Sequence, residues 1–187
     1  MKPSISTRPI DDKEAALRDR VEAALHDLGV QTDLPAERGL PLFADATELT
    51  VAHVSQSGRE HYLTPAAAES WVRMREAAAA GSVVLVMISG FRSFERQLEL
   101  IQGQLAGGTP VDEILSVLAP PGCSEHHTGR AVDVGTPGCE PLSESFEDTA
   151  AFQWLDLNAA GFGFRMSYPR SNPLGYRYEP WHWCHHD

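Results

Sequence analysis

The chain has few cysteines and few basic residues, and each shortage excludes a class of protein. Three cysteines in 187 residues form no even set, so the sequence predicts no disulfide framework and favours a reducing compartment. Lysine and arginine together number 15 against 26 acidic residues, which gives a net charge of -11 at pH 7. Nucleic acids and anionic membrane surfaces are therefore unfavourable partners.

The chain also lacks a long apolar segment. No apolar run approaches the roughly 20 residues that a membrane-spanning helix needs, so we expect no membrane span. The beginning of the chain is dense in charge and has no apolar stretch like that of a secretory signal. We therefore expect a cytoplasmic protein, with release at lysis or non-classical export as the alternative.

No internal repeat, low-complexity segment or linker divides the sequence. A chain of 187 residues with 42% hydrophobic and 22% charged residues is typical of one globular domain with a full core. We predict that residues 1–62 form an arm, a helix and a hairpin, and that these pack on a core made by residues 63–187. The oligomeric state is left open by the sequence.

The amino-terminal part predicts two helices and a hairpin. Residues 11–28 carry a single apolar stripe at helical spacing. Residues 50–54 and 60–63 are short strand candidates joined by a glycine-containing turn. Thr64 then provides a capping hydroxyl for a helix over residues 65–80, which has proline at its first position.

The middle of the chain predicts two strands and two helices. Residues 83–88 are continuously apolar, which predicts a central strand buried on both faces. Ser93 is placed to cap a helix over residues 94–106. Residues 109–118 predict a short helix, and residues 130–134 predict a strand on which alternate side chains share a face.

The last part predicts a helix and a strand pair. Apolar residues at helical spacing predict a helix over residues 145–158. Residues 162–164 and 176–178 predict the two arms of a final strand pair. We expect residues 184–186, although rich in cysteine and histidine, to form a frayed end.

Residues suited to a metal centre occur in two segments that are far apart in the chain. His126, Asp133 and His182 supply two imidazole nitrogens and one carboxylate oxygen. That donor set suits a zinc ion with one coordination position left open for water. His127 is a rival to its neighbour as a ligand.

Two charged residues near these segments suggest catalysis. Glu179 precedes His182 by three residues, close enough to act as a general base on water. Residues three apart on a regular strand point to opposite faces, so we expect the strand to bulge or end between them. Arg92 precedes a predicted helix N-terminus, where positive potential favours an anionic group or a developing oxyanion. The alternative is a surface arginine paired with Glu95 or Glu99.

In three motifs the chain resembles the VanY-type D-alanyl-D-alanine carboxypeptidases, over residues from about 63 to 183. The motifs are S-x-H-x-x-G-x-A-x-D at residues 124–133, E-P-W-H at residues 179–182, and S-G-F-R-S at residues 89–93 followed by Gln97. Three motifs in this order are a more specific signal than any one of them. The same superfamily contains VanX-type dipeptidases, phage cell-wall endopeptidases and the hedgehog signalling domain.

This resemblance implies a fold, a cofactor and a substrate. The fold would be α+β, a single domain with a small, mostly antiparallel central sheet flanked by helices, as in hedgehog and D,D-peptidase domains. The resemblance selects His126 over His127 as the ligand and implies one zinc ion per chain. It assigns Ser124 and Gln97 to the terminal carboxylate of a peptidoglycan stem peptide or precursor that ends in D-alanine.

Three functions remain open from the sequence. The first is a zinc carboxypeptidase in which Glu179 accepts the proton of water, Arg92 stabilises the oxyanion, and terminal D-alanine is released. The second is a dipeptidase or a cell-wall endopeptidase of the same family. The third is a zinc-binding domain without turnover, which would need neither the base nor the arginine. We assign no role to His26, His53 and His61.

Overall fold

A computed structural model describes residues 12–186 of the chain. The predicted arm at the beginning of the chain and the first residue of the first predicted helix lie outside the described residues. The helices are α1 (Asp12–Asp27), α2 (Leu34–Glu37), α3 (Pro65–Ala80), α4 (Phe94–Ala106), α5 (Val111–Ile114) and α6 (Ala150–Asn158), and 3-10 turns lie at Glu125–Thr128, Glu144–Asp148 and Ala159–Phe162. The strands are β1 (Thr50–Val54), β2 (Glu60–Leu63), β3 (Val86–Ser89), β4 (Ala131–Gly135), β5 (Phe164–Met166) and β6 (His182–His185).

The strands form two antiparallel sheets. β1 and β2 make a hairpin, and the other four strands form one sheet in the order β3-β4-β6-β5. In this sheet Asp133 pairs with His182 on one side and with Ser89 on the other. The predicted α+β fold with a small antiparallel sheet flanked by helices is therefore confirmed.

The main hydrophobic core lies on one face of the four-stranded sheet. Side chains alternate between the faces of a strand, so Val132 and Trp183 point into the core while Asp133 and His182 point to the opposite face. α3 and α6 cover the core face, with Trp71 and Leu155 fully buried against it. The sheet thus separates the core from the face that carries the predicted metal ligands. Val132, Val134 and Trp183 lie on the core face, and Asp133 and His182 lie on the other.

The amino-terminal helix packs on α4. Val21 and Leu25 of α1 are buried against Phe94, at the beginning of α4. Leu28 and Ile101 belong to a neighbouring cluster that also includes α5. α1 therefore covers α4, the helix that follows Arg92. No helix among residues 12–186 has the length and apolar character that crossing a membrane requires.

The prediction of a central strand over residues 83–88 is wrong. β3 spans Val86–Ser89 and, in the part of the chain that the structure describes, pairs with β4 alone and forms an edge of the sheet. Val84 is 53% exposed, and only Leu85 and Met87 of the apolar run are fully buried. The run is apolar because one part of it enters the core and another part lines a surface groove, not because both faces of a strand are covered.

The predicted final strand pair is also wrong in its second arm. Residues 176–178 form no strand, and β5 pairs with β6 instead. The main chain there bonds to loops, since the N–H of Arg177 donates to the carbonyl of Ser116. The predicted frayed end is wrong as well, because Cys184 and His185 are buried in β6, which pairs on both sides.

Helix boundaries follow the local capping residues. The predicted helix over residues 145–158 is divided at Thr149, whose hydroxyl accepts a hydrogen bond from the N–H of Phe152 and starts α6 there. Ser93 caps α4 as predicted, accepting from the N–H of Arg96. Thr64 occupies the cap position of α3, but its hydroxyl makes no capping bond. The helix predicted over residues 109–118 ends early, at Ile114.

Two leucines of α6 provide a matched test of this packing. Leu155 is fully buried and Leu157 is 81% exposed, although both lie on the same helix. We expect Leu155→Ala to lower the free energy of unfolding by about 2–5 kcal/mol, because it removes buried methyl groups and leaves a cavity. Leu157→Ala should change it by less than about 0.5 kcal/mol. Urea denaturation measures both, and equal effects would contradict the described packing.

Candidate metal centre

Three predicted ligands converge at one point. His126 lies in the 3-10 turn Glu125–Thr128, Asp133 lies on β4, and His182 begins β6. One ligand atom from each residue lies within 4.8 Å of the others. His126 Nε2 is 3.2 Å from one oxygen of Asp133, and His182 Nδ1 is 3.1 Å from the other. All three residues are buried.

A glycine turn brings His126 next to β4. Gly129 follows the 3-10 turn with a φ of 64°, in the left-handed region that favours glycine. A β-carbon at this position would lie 2.9 Å from a side-chain carbon of Leu49 and 3.3 Å from one of Thr64. The tight turn and the close packing both require glycine. The chain then enters β4 with Asp133 on the face that His126 approaches.

Hydrogen bonds to the far nitrogen fix each imidazole. His126 Nδ1 lies 2.7 Å from the carbonyl oxygen of Gly90, to which it donates, so its Nε2 faces the centre. His182 uses its nitrogens in the opposite way. Its Nε2 lies 2.9 Å from the carboxylate of Glu125, and its Nδ1 faces the centre. Partners of this kind orient metal-binding histidines in proteins.

Glu125 is a site residue that the sequence analysis missed. Its carboxylate is held by His182 and by the Ser167 hydroxyl, which donates to it over 2.5 Å. Although Glu125 stands beside a predicted ligand in the first motif, its partner His182 is 57 positions away. A carboxylate inside a metal motif was the available signal, but the contact itself depends on how the strands pair.

The charges around the two imidazoles favour a cation. Burial alone would lower the pKa of His182, but hydrogen bonds to Asp133 and Glu125 raise it to about 10. Burial alone would raise the pKa of Asp133, but the imidazoles of His126 and His182 hold it well below its usual range. A positive charge is therefore stabilised here. Two nitrogens and one carboxylate oxygen fit zinc and leave a coordination position for water or substrate.

Glu179 lies beside this centre because the strand begins after it. The N–H of His182 donates to the carbonyl of Glu179 in a tight turn, so β6 starts only at His182. The expected end of the strand between the two residues is confirmed. A carboxylate oxygen of Glu179 lies 3.9 Å from His182 Nδ1. Burial raises the pKa of Glu179 to about 7, near that of a general base which works at neutral pH.

Arg92 points into the same place. Its guanidinium donates to the side-chain oxygens of Gln97 and Ser89 over 2.9 and 3.2 Å, and one nitrogen lies 3.7 Å from an oxygen of Asp133. The alternative of a surface ion pair with Glu95 or Glu99 is wrong. Those carboxylates lie by other arginines, Arg20 and Arg96.

The two residues predicted to bind the substrate carboxylate differ in their surroundings. Gln97 is fully buried; its side-chain oxygen accepts from Arg92 and its nitrogen donates to the carbonyl of Ala119 over 2.7 Å. Gln97 is thus placed to orient Arg92. Ser124 lines the pocket, and its hydroxyl oxygen is 3.4 Å from the N–H of His126. A direct contact of either side chain with substrate stays a prediction.

His127, the rival ligand, points away from the centre. It is fully buried, its Nδ1 donates to the carbonyl of Arg92 over 2.7 Å, and its Nε2 accepts from the N–H of Gly122 over 3.0 Å. Both bonds are possible only for the neutral ring, and burial lowers the pKa of His127 accordingly. This imidazole therefore ties the main chain of Arg92 to the loop before the first motif.

The pocket above the ligands is small. Its volume is about 80 Å³, and it is bordered by Arg92, Ser124, Glu179 and the ligands. Apolar and aromatic side chains also line it: Val117, Leu118, Leu142, Tyr168 and Tyr176. The ring of Tyr168 lies 4.7 Å from that of His182. Such a pocket accepts a group of the size of one small residue.

The fold and these residues define a family. The chain belongs to the VanY family of D-alanyl-D-alanine carboxypeptidases, whose sequence pattern matches residues 60–187. The resemblance found in the three motifs is therefore confirmed.

Individual relatives agree with this family. The Bacillus subtilis protein YodJ is 34% identical over 153 residues, which are 76% of this chain and 55% of that protein. VanXYC of Enterococcus gallinarum, named a bifunctional D-Ala-D-Ala dipeptidase and carboxypeptidase, is 31% identical over 132 residues, 67% of this chain and 68% of that one. The chain spans about half the length of relatives such as YodJ.

Solved structures share the fold. The LD-carboxypeptidase LdcB superposes with a TM-score of 0.68 and 31% identity, over 78% of this chain and 71% of that one. VanYB in complex with D-alanine-D-alanine gives 0.59 and 27%, over 75% and 77% of the two chains. A variant of the D,D-pentapeptidase VanY in complex with Zn(II) gives 0.58 and 27%, over 75% and 79%.

The contact between Glu125 and His182 can be tested by metal affinity. We expect Glu125→Gln to weaken zinc binding by about 10–100-fold, because the neutral amide is a poorer partner for the imidazole and orients it less firmly. Competition with a chromophoric chelator measures this affinity. Glu144→Gln removes an exposed carboxylate that lies near Arg170, and it serves as the control. Equal affinities of the two variants would show that Glu125 does not position the ligand.

Proposed function

We propose that this protein is a zinc peptidase that hydrolyses the terminal peptide bond of peptidoglycan stem peptides or precursors ending in D-alanine. One observation carries the proposal: a buried carboxylate with a raised pKa, Glu179, lies 3.9 Å from a ligand histidine at the wall of a small pocket that also contains Arg92. A zinc site that served only structure would need neither group. The alternative of a binding domain without turnover is therefore disfavoured.

His126, Asp133 and His182 would hold one zinc ion per chain. When bound, the ion supplies Lewis acidity, which lowers the pKa of a water molecule and polarises a carbonyl group. The donor set, the burial and the second hydrogen bond on each imidazole fit this ion. Zinc in the related VanY structure supports the same choice.

Different side chains of the site have separate roles in peptide hydrolysis. Glu179 accepts a proton from the attacking water and delivers it to the nitrogen of the leaving D-alanine as the C–N bond breaks. Arg92 stabilises the negative charge that develops on the carbonyl oxygen. Gln97 and Ser89 hold the guanidinium in place before the reaction begins, so little reorganisation is needed.

The size of the pocket favours a substrate that ends there. About 80 Å³, lined by Leu142 and two tyrosines, leaves room for one small terminal residue, and we propose that the substrate chain ends there. Ser124 borders this pocket, and we propose that its hydroxyl donates to the terminal carboxylate. The D-alanine-D-alanine bound by the related VanYB supports a terminus of this kind.

Two related activities compete with release of D-alanine from a D,D-bond. A dipeptidase or endopeptidase activity within the family is one, and the bifunctional relative VanXYC makes the dipeptidase a specific candidate. Cleavage of an L,D-bond is the other, favoured by the TM-score of 0.68 to LdcB. All of these activities would use the same base and metal ligands, so a comparison of substrates must decide between them.

Replacing the base tests the mechanism. We expect Glu179→Gln to lower kcat by about 10²–10⁴-fold, because the amide cannot accept the proton of water. Zinc content, measured by elemental analysis, should stay at the wild-type value, since Glu179 is not one of the three ligands. Glu140→Gln, a change at an exposed loop residue, is the control. Wild-type activity of Glu179→Gln would exclude this residue as the base.

A set of four substrates separates the activities. We expect the zinc-loaded protein to release D-alanine from a pentapeptide that ends in D-Ala-D-Ala, as detected by mass spectrometry. A tetrapeptide with a terminal L,D-bond, the free D-Ala-D-Ala dipeptide and cross-linked muropeptides should react more slowly or not at all. Faster cleavage of the L,D-tetrapeptide, the dipeptide or the muropeptides would assign an L,D-carboxypeptidase, a dipeptidase or an endopeptidase activity, respectively. Absence of product from all four would favour the binding domain.

A further inference from the structure

A second and larger groove lies beside the small pocket. Its volume is about 750 Å³. It runs between the end of β1 with its following turn, the last turns of α3, the outer edge of β3, and the loop after β4. We call it the β3 groove, and its wall includes His53, Arg75, Val84, Val86, Ile88 and Gly135.

Two stretches of chain connect the lining of the β3 groove to the metal centre. Gly135 lines the groove and lies two residues along β4 from Asp133, on the same face of the sheet and about 7 Å away. On the loop that follows, Pro141 borders the groove and its neighbour Leu142 borders the small pocket. The groove is therefore near the small pocket both along β4 and along this loop.

The outer edge of β3 suits an extended peptide. β3 is the last strand of its sheet, and within residues 12–186 its one partner strand is β4. An exposed strand edge of this kind binds peptides by adding them as a further strand. From Ser89, which pairs with Asp133, to Val84, which lines the groove, the chain advances five residues, about 17 Å if extended. That length matches the upstream part of a short substrate peptide.

A cationic group stands at the wall of this groove. Arg75 on α3 hydrogen-bonds to Nδ1 of His53 over 3.1 Å. Burial, and then the charge of Arg75, lowers the pKa of His53, so the neutral ring accepts the bond. No aspartate or glutamate among residues 12–186 forms an ion pair with Arg75, although the protein carries a net charge of -11. Arg75 is thus oriented and lacks an anionic partner.

We propose that the β3 groove binds the part of the peptide substrate that lies upstream of the scissile bond, extended along β3, with a carboxylate side group of that peptide on Arg75. The proposal rests on the proposed function for the identity of the occupant. The open strand edge provides main-chain partners for any sequence, whereas Arg75 selects peptides by charge at one position. His53, which had no role in the sequence analysis, is the residue that holds the guanidinium in this position.

The experiment compares matched synthetic peptides that end in D-Ala-D-Ala. One glutamate is moved through the upstream positions, and each peptide has a counterpart with glutamine at the same position. At the position that reaches Arg75, the wild-type protein should show a KM about tenfold lower for the glutamate peptide than for the glutamine peptide. Moving the glutamate by one residue should remove this preference, because neighbouring side chains of an extended peptide point to opposite sides.

Substitutions then assign the preference to Arg75. Arg75→Ala should abolish it, Arg75→Glu should reverse it, and Arg75→Lys should retain part of it. Arg73→Ala removes the same charge two residues away, where the side chain hydrogen-bonds to Ser70 on its own helix, and should keep the full preference. No preference in the wild-type protein, or the same preference after Arg75→Ala, would overturn the proposal.

A binding measurement separates this proposal from the proposed function. Upstream peptides without the D-Ala-D-Ala end are titrated into ¹⁵N-labelled protein, and the amide signals of β3 are followed by NMR. Shifts at Val86 and Ile88 that depend on the glutamate and on Arg75 would support the groove even if no peptide is cleaved. Cleavage of the pentapeptide without such shifts would refute peptide binding in the groove and would still support the proposed peptidase function.

Discussion

The pairing of β4 with β6 is the interaction on which both the core and the metal centre depend. It places Asp133 opposite His182 on one face and Val132 opposite Trp183 on the other. A shift of the register by one residue would turn the ligands into the core and the core residues toward the site. The hydrophobic packing of α3 and α6 against this sheet therefore also fixes the geometry of the ligands, and the chain cannot keep one without the other.

The three carboxylates around the metal centre differ in the direction in which their pKa is shifted. Asp133 lies among two imidazoles and Arg92, and Glu125 is held by His182 and Ser167. Both carboxylates have a lowered pKa. Glu179 is the exception, since burial dominates and raises its pKa to about 7. The same cluster thus contains carboxylates that stay charged beside a cation and one that exchanges a proton near neutral pH, as the proposed mechanism requires.

Local signals in the sequence predicted the elements that local interactions determine. The hairpin of residues 50–63, the helix that begins at Pro65 and the helix capped by Ser93 follow from turn residues, caps and spacing, and the structure has them at the predicted positions. The features that the sequence analysis predicted wrongly or missed depend on contacts between residues far apart in the chain. The edge position of β3, the partner of β5 and the contact of Glu125 with His182 are set by which strands meet, and a single sequence shows no trace of that choice.

The metal centre lies in the small pocket, and the β3 groove, which lies along the same sheet, is much larger. This difference in size bears on which side of the scissile bond the substrate is short. The pocket next to Ser124 holds about 80 Å³, while the groove along β3 holds about 750 Å³ and is bordered by the outer edge of that strand. A peptide that crosses the metal can place only a small residue in the first and an extended segment in the second. An endopeptidase would need room for chain on both sides, so the geometry favours removal of one terminal residue from a longer peptide. Arg75, on the open side, then acts on the selection of that peptide and not on the chemistry at Glu179.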